Sequence, residues 1–145
     1  MAGYPYGRTL PERLFARLTP DPETGCLLWT GQIARNGYGM LSLKNKPRRV
    51  HRLMWELFNG TIPDGLVIDH VKARGCSHRH CANIEHLELV TLRENLLRGD
   101  TIAADHAAKT HCPQGHAYDE ANTYTYRGKR QCRACARERR MAHGK

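Results

Sequence analysis

The chain has 145 residues, of which 40% are hydrophobic but only 7% aromatic, with a formal net charge of +9 and six cysteines. Its mean hydropathy is −0.65. No run approaches the roughly 18 apolar residues that a membrane-spanning helix needs, and residues 1–15 lack the apolar centre of a signal peptide. A cytoplasmic location is therefore expected, where thiols stay reduced and serve as metal ligands rather than disulfides. The apolar core must be small, the situation in which short chains use metals as staples.

In chain order, Thr9-Leu10-Pro11-Glu12 reads as a capping box with proline in the first turn. Leu10, Leu14, Phe15 and Leu18 share one face of the helix it opens, and Pro20-Asp21-Pro22 and Gly25 end it, giving an N-terminal helical segment over 1–24. Cys26 to Thr30 reads as a strand, with Tyr38 to Leu43 as its partner across a turn-rich loop, followed by a turn at Lys44-Asn45-Lys46-Pro47. Val50, Leu53, Met54, Leu57 and Phe58 mark a helix over 49–58 with one buried stripe, stopped at Asn59-Gly60. A strand from Leu66 ends on Asp69-His70, and a polar loop, a second strand over 87–90 and a capped helix from Thr91 to Arg98 follow. Residues 100–111 read as a linker with some helix, and 124–126 as a short strand turning at Gly128. Arg133 to His143 reads as a basic helix. Eight Lys/Arg against Glu138 alone over 127–145 point to a polyanion such as nucleic acid.

The cysteines fall into ligand spacings. Cys76, Cys81 and His86 run as C-x4-C-x4-H, and Cys112, His116, Cys132 and Cys135 as C-x3-H…C-x2-C. Cys26 is the remaining cysteine and completes the first group, so eight ligands divide into two closed sets of three sulfurs and one nitrogen, which suits structural zinc. His78 and His80 compete with His86 as ligands, and His111 reads as a bystander. His70 stands outside both sets.

The segment from Val67 to Asn95, I-D-H-V…C…C-A-N-I-E-H-L-E-L-V-T…E-N, resembles the HNH and His-Me finger nucleases, above all the zinc-bearing His-Cys box branch and the related small phage HNH endonucleases. The upstream G-C-L-L-W-T-G…N-G-Y-G and H-R-L-M-W-E-L-F-N-G segments, and the C-terminal C-P-x-G-H…N-T-Y…R-x-C-R-x-C segment, are similar to parts of those phage proteins. The resemblance covers about residues 25–140 and implies an α+β fold: a ββα-metal core with two structural zinc sites and a small C-terminal zinc module. The implied divisions are a nuclease domain over 25–99, a linker over 100–111 and the zinc module with its basic tail over 112–145. It implies His70 as general base, Asp69 and Asn95 as ligands of a catalytic Mg²⁺ or Mn²⁺, and His86 as the histidine of the first zinc set. The stretch from His70 to Cys76 is longer than in the His-Cys box pattern.

These residue types suit phosphodiester hydrolysis. A neutral imidazole accepts a proton from water near neutral pH, and oxygen ligands select a hard divalent ion that can stabilise phosphate charge. The expected activity is a DNA endonuclease acting on double-stranded DNA, with Arg52, Arg93, Arg98, Arg130, Arg133 and Arg137 as nucleic-acid contacts. The location would be the host cytoplasm for a phage-encoded chain. Homodimerisation stays open as a route to cutting both strands. The alternatives are a non-catalytic zinc-binding DNA-binding protein and an RNA-acting one. His70 also reads as a strand-end histidine bonded to backbone, Asp69 as a partner of Arg74, Asn95 as a surface helix residue, and Asn83 as a loop-ordering residue.

Overall fold

The computed structural model describes residues 8–144, so the first seven residues of the expected N-terminal segment and Lys145 of the basic tail lie outside the described residues. The chain divides into two compact units, one ending at Asn95 and the other starting at Leu96.

In the first unit, α1 spans Leu10–Phe15. The Thr9 backbone N–H and hydroxyl both donate to the Glu12 carboxylate, at 2.7 and 2.9 Å. The helix is shorter than its apolar spacing suggests. Leu18 lies instead in β1 (Leu18–Pro20), which pairs antiparallel with β2 (Leu27–Trp29). Pro20 and Asp21 therefore enter a hairpin rather than end a helix. Asp21 N–H donates to the Cys26 carbonyl and Gly25 N–H to the Asp21 carbonyl, with Gly25 at φ +71°, a conformation suited to glycine.

The expected pairing of the second strand also differs. Tyr38 to Leu43 does not pair with β2; β3 (Met40–Leu43) pairs with β4 (Lys46–Arg49). Both edges of β2 are already taken, one by β1 and the other by the cysteine loop. Trp29 N–H donates to His80 O at 3.1 Å, and Ala82 N–H to Leu27 O at 2.8 Å. Lys44 and Asn45, at φ 48° and 60°, close the β3–β4 hairpin, the two-residue turn with both residues left-handed that matches strand twist.

Helix α2 (Val50–Asn59) buries Val50, Leu53 and Met54, whereas Leu57 and Phe58 stay partly open. Those three residues join Leu14, Trp29, Leu41 and Ala82 in the main core. Trp29 fills its centre. A Cβ on Gly31 would lie 2.6 Å from the indole ring and one on Gly39 2.8 Å, so both positions exclude any larger side chain. Next come β5 (Leu66–His70) and β6 (Leu87–Thr91), an antiparallel pair with Val67 opposite Val90 and His70 opposite Leu87. Ile62, Ile68 and Leu87 form a second small cluster beneath them. Thr91 caps α3 (Leu92–Arg98): its N–H and hydroxyl donate to the Glu94 carboxylate, both at 2.9 Å.

In the second unit, α4 (Ile102–Ala108) occupies most of the expected linker. It precedes a hairpin of β7 (Thr123–Tyr126) and β8 (Lys129–Cys132), turned by Arg127 and Gly128, both at positive φ. Helix α5 (Arg133–His143) follows. Asn122 ties this unit together. Its Nδ2 donates to Ala117 O at 2.7 Å, and its Oδ1 accepts from Ala134 N–H at 2.9 Å. Among the described residues, no helix is long and apolar enough to cross a membrane.

Candidate active site

The four donor atoms of Cys26, Cys76, Cys81 and His86 lie within 4.8 Å of one another, as do those of Cys112, His116, Cys132 and Cys135. In the first set all four side chains are buried. β2 follows directly on Cys26, the turn after β5 carries Cys76 and Cys81, and a 3₁₀ turn ahead of β6 carries His86. His86 Nδ1 stands 3.6 Å from Cys26 Sγ and 3.7 Å from Cys81 Sγ. In the second set, Cys112 Sγ is 3.6 Å from both His116 Nδ1 and Cys135 Sγ. Tetrahedral zinc with ordinary Zn–S and Zn–N bonds has edges of about 3.6 to 3.8 Å, so both sets fit that ion in size and donor chemistry. Crowded sulfurs cannot all ionise without a cation. The Cys76 thiol donating to Cys81 holds Cys81 down to about 4, and the same contact pushes Cys76 up. Each set is braced from outside: Asn83 N–H approaches Cys81 Sγ at 3.4 Å, and Asn122 Nδ2 approaches Cys132 Sγ at 3.3 Å. His78 and His80 meet edge-on at 5.3 Å and belong to neither set; His111 is likewise outside.

His70 ends β5 half-buried, with Nε2 3.1 Å from the Cys81 carbonyl oxygen. A carbonyl can only accept, so Nε2 carries the proton and Nδ1 of the neutral ring keeps its lone pair. Burial holds His70 below the ordinary histidine range, opposed by the hydrogen bond to Cys81. The expected backbone bond of His70 is present, and it leaves Nδ1 as the ring's acceptor nitrogen.

Asp69 precedes it on β5, opposite Glu88. Arg74 is 3.7 Å from Glu88 and also donates to the Glu85 and Leu87 carbonyls. Asn95 is the half-buried residue on the otherwise exposed stretch of α3 from Leu92 to Arg98. A carboxylate and an amide oxygen are donors that fit a hard divalent ion. Arg93 and Arg98 are exposed on α3, and Arg137 on α5. Arg52 is half-buried on α2. Arg133 lies 5.3 Å from the Tyr124 ring, and Arg130 spends its guanidinium within the second unit, on Tyr118 at 4.1 Å and on the His106 and Lys109 carbonyls.

The structure adds residues that the sequence reading did not single out. His51, 4% exposed, makes an edge-on ring contact with His70 at 4.9 Å, and its Nδ1 is buried with no hydrogen-bond partner among the described residues. Burial pushes its pKa down to about 3, reinforced by His70, Arg49 and Arg52. The Tyr38 ring contacts both histidines, at 5.2 and 6.0 Å. Arg49 lies 4.6 Å from that ring and Arg79 5.9 Å, so two exposed guanidiniums flank the His70 environment. The available signal for His51 was a polar residue among the buried positions of an amphipathic helix, three residues before Met54.

The profile of the HNH endonuclease family matches residues 48–97, from the end of β4 through α3. The chain is also similar to "Protein 7.7" of Escherichia phage T7, 36% identical over 70 residues, which is 48% of this chain and 51% of that protein. It is 33% identical over 82 residues to the "Uncharacterized gene 5.3 protein" of Enterobacteria phage T3, covering 52% of this chain and 77% of that protein. The match thus spans about half the length of the T7 protein. No solved structure matches the chain. With the match covering His51, Asp69, His70, the first set's loop ligands and Asn95, the chain belongs to the HNH endonuclease family.

Proposed function

We propose that the protein is a metal-dependent DNA endonuclease in which His70 Nδ1 is the general base. The observation that carries this reading is the Nε2–H bond to the Cys81 carbonyl, which leaves Nδ1 as acceptor on a ring held beside the first Cys/His set. Zinc in that set would fix the loop, and the loop carbonyl would fix the imidazole. Water attacks the phosphorus as its proton passes to His70 Nδ1; the P–O3′ bond breaks, and the departing 3′ oxygen takes a proton from solvent, leaving 5′-phosphate and 3′-hydroxyl ends and a protonated His70 that returns its proton to solvent. Asp69 and Asn95 would hold a divalent Mg²⁺ or Mn²⁺ ion, which supplies Lewis acidity at the phosphate and the leaving oxygen. The flanking guanidiniums of Arg49 and Arg79 bring positive charge towards double-stranded DNA, with Arg52 and Arg93 further along the same unit.

The test is plasmid cleavage by the purified chain with Mg²⁺ or Mn²⁺. Nicking or linearisation that His70→Ala abolishes supports the reading. DNA binding without scission, unchanged by His70→Ala, identifies a non-catalytic zinc-binding DNA protein instead.

A further inference from the structure

The second unit carries a surface that the nuclease reading does not use. Along a strand, side chains alternate between faces, and residues directly opposite each other share one. In the β7–β8 hairpin, Tyr124 and Tyr126 therefore share a face with their register partners Gln131 and Lys129. The other face is consumed internally, by Cys132 of the second Cys/His set and by Arg130 on its two carbonyls. The tyrosine face opens towards the turn: Tyr126 is 58% exposed and Tyr124 half-buried. Arginines line it, with Arg127 5.4 Å from the Tyr126 ring and Arg133 5.3 Å from the Tyr124 ring. From residue 96 to the end, ten Lys/Arg oppose five Asp/Glu.

We infer that this face binds unpaired nucleotides of a single-stranded DNA, by stacking bases on Tyr126 and Tyr124 and pairing phosphates with Arg127, Lys129 and Arg133. A paired duplex hides its base faces within its own stack and offers this hairpin phosphates alone. An unpaired base offers the π-face that an exposed, arginine-flanked tyrosine is built to meet. The two tyrosines are two residues apart on one strand, about 6.8 Å along it. Charge alone would suit any polyanion; two aromatic rings on one charged face select the unpaired form.

The experiment uses the full zinc-loaded chain without added Mg²⁺ or Mn²⁺, so its outcome is independent of hydrolysis. Anisotropy of labelled oligothymidine and of a fully paired duplex of equal length is measured at one salt concentration. Tyr126→Ala is expected to weaken oligothymidine binding roughly 5- to 140-fold and duplex binding less than about twofold, since one stacked base contributes that much. Tyr126→Leu, which keeps apolar bulk without the ring, repeats the loss, whereas Tyr126→Phe restores single-strand binding. Retained second-site zinc in each variant confirms the fold. Equal losses for both DNAs, no loss for oligothymidine, or failure of Tyr126→Phe to bind would each overturn the inference.

Discussion

Asn83 contacts no substrate in the proposed mechanism, yet its removal should loosen the first metal set. Its Nδ2 donates to the Gly25 carbonyl at 2.8 Å, next to Cys26, and its Oδ1 accepts from Glu85 N–H at 3.0 Å, capping the 3₁₀ turn that presents His86. One side chain thus joins the two ligands most distant in sequence. Asn83→Ala deletes both bonds. Each contributes about 0.5–1.5 kcal/mol net, and both are exposed, so the lower end applies: about 1–2 kcal/mol together. Because the loop orders as the ion binds, that loss should appear as roughly 5- to 30-fold weaker zinc binding. The assay is competition against a chromophoric zinc chelator on the full chain. The second set, whose brace is Asn122, provides an internal reference that should not move. Asn83→Asp keeps the Oδ1 cap and loses the donor to Gly25, and should show about half the effect. If both sites of Asn83→Ala released zinc within twofold of the wild type, the bracing argument would be wrong.

Zinc content itself is a simpler check: elemental analysis should find two ions per chain, with Cys26→Ala and Cys132→Ala each losing one. Gly31→Ala should destabilise the first unit by about 1–3 kcal/mol in urea titrations with zinc held constant, because the new methyl meets a fully buried indole; an unchanged midpoint refutes the packing described. His51, with a folded pKa of about 3 against an ordinary 6.5, makes the unfolded state bind more protons between those values, so stability rises with pH across that window and falls on acidification. Between pH 7 and 5 the wild type should lose about 2 kcal/mol more than His51→Leu; parallel losses in the two proteins would show that His51 titrates normally.

Local signals were legible in the sequence and non-local ones were not. The ligand spacings of Cys76, Cys81 and His86, or of Cys132 and Cys135, are properties of short stretches of chain, and Cys26 followed by count. The capping boxes at Thr9 and Thr91 are likewise local. The stripe of α2 reads from its period, although the period does not say that Leu57 and Phe58 stop short of burial. Strand partners were another matter. Alternation identifies Cys26 to Thr30 as extended but carries no information about which edge is free, and the cysteine loop had taken the edge assigned to Tyr38 to Leu43. Leu18 fits a helical face as well as a strand, and the hairpin at Asp21 decided the matter. His51 and Tyr38 received no role at the site because their significance lies in contact with His70, across 19 and 32 residues of chain.

Cys81 performs two duties from one residue: its sulfur joins the soft-donor set, and its carbonyl steers the imidazole. With an ion in that set, the orientation of the imidazole would be inherited from a coordination shell a few bonds away as well as from the Tyr38 and His51 rings beside it. A chain with few large apolar side chains can in this way keep a reactive group stiff without assembling a deep interior.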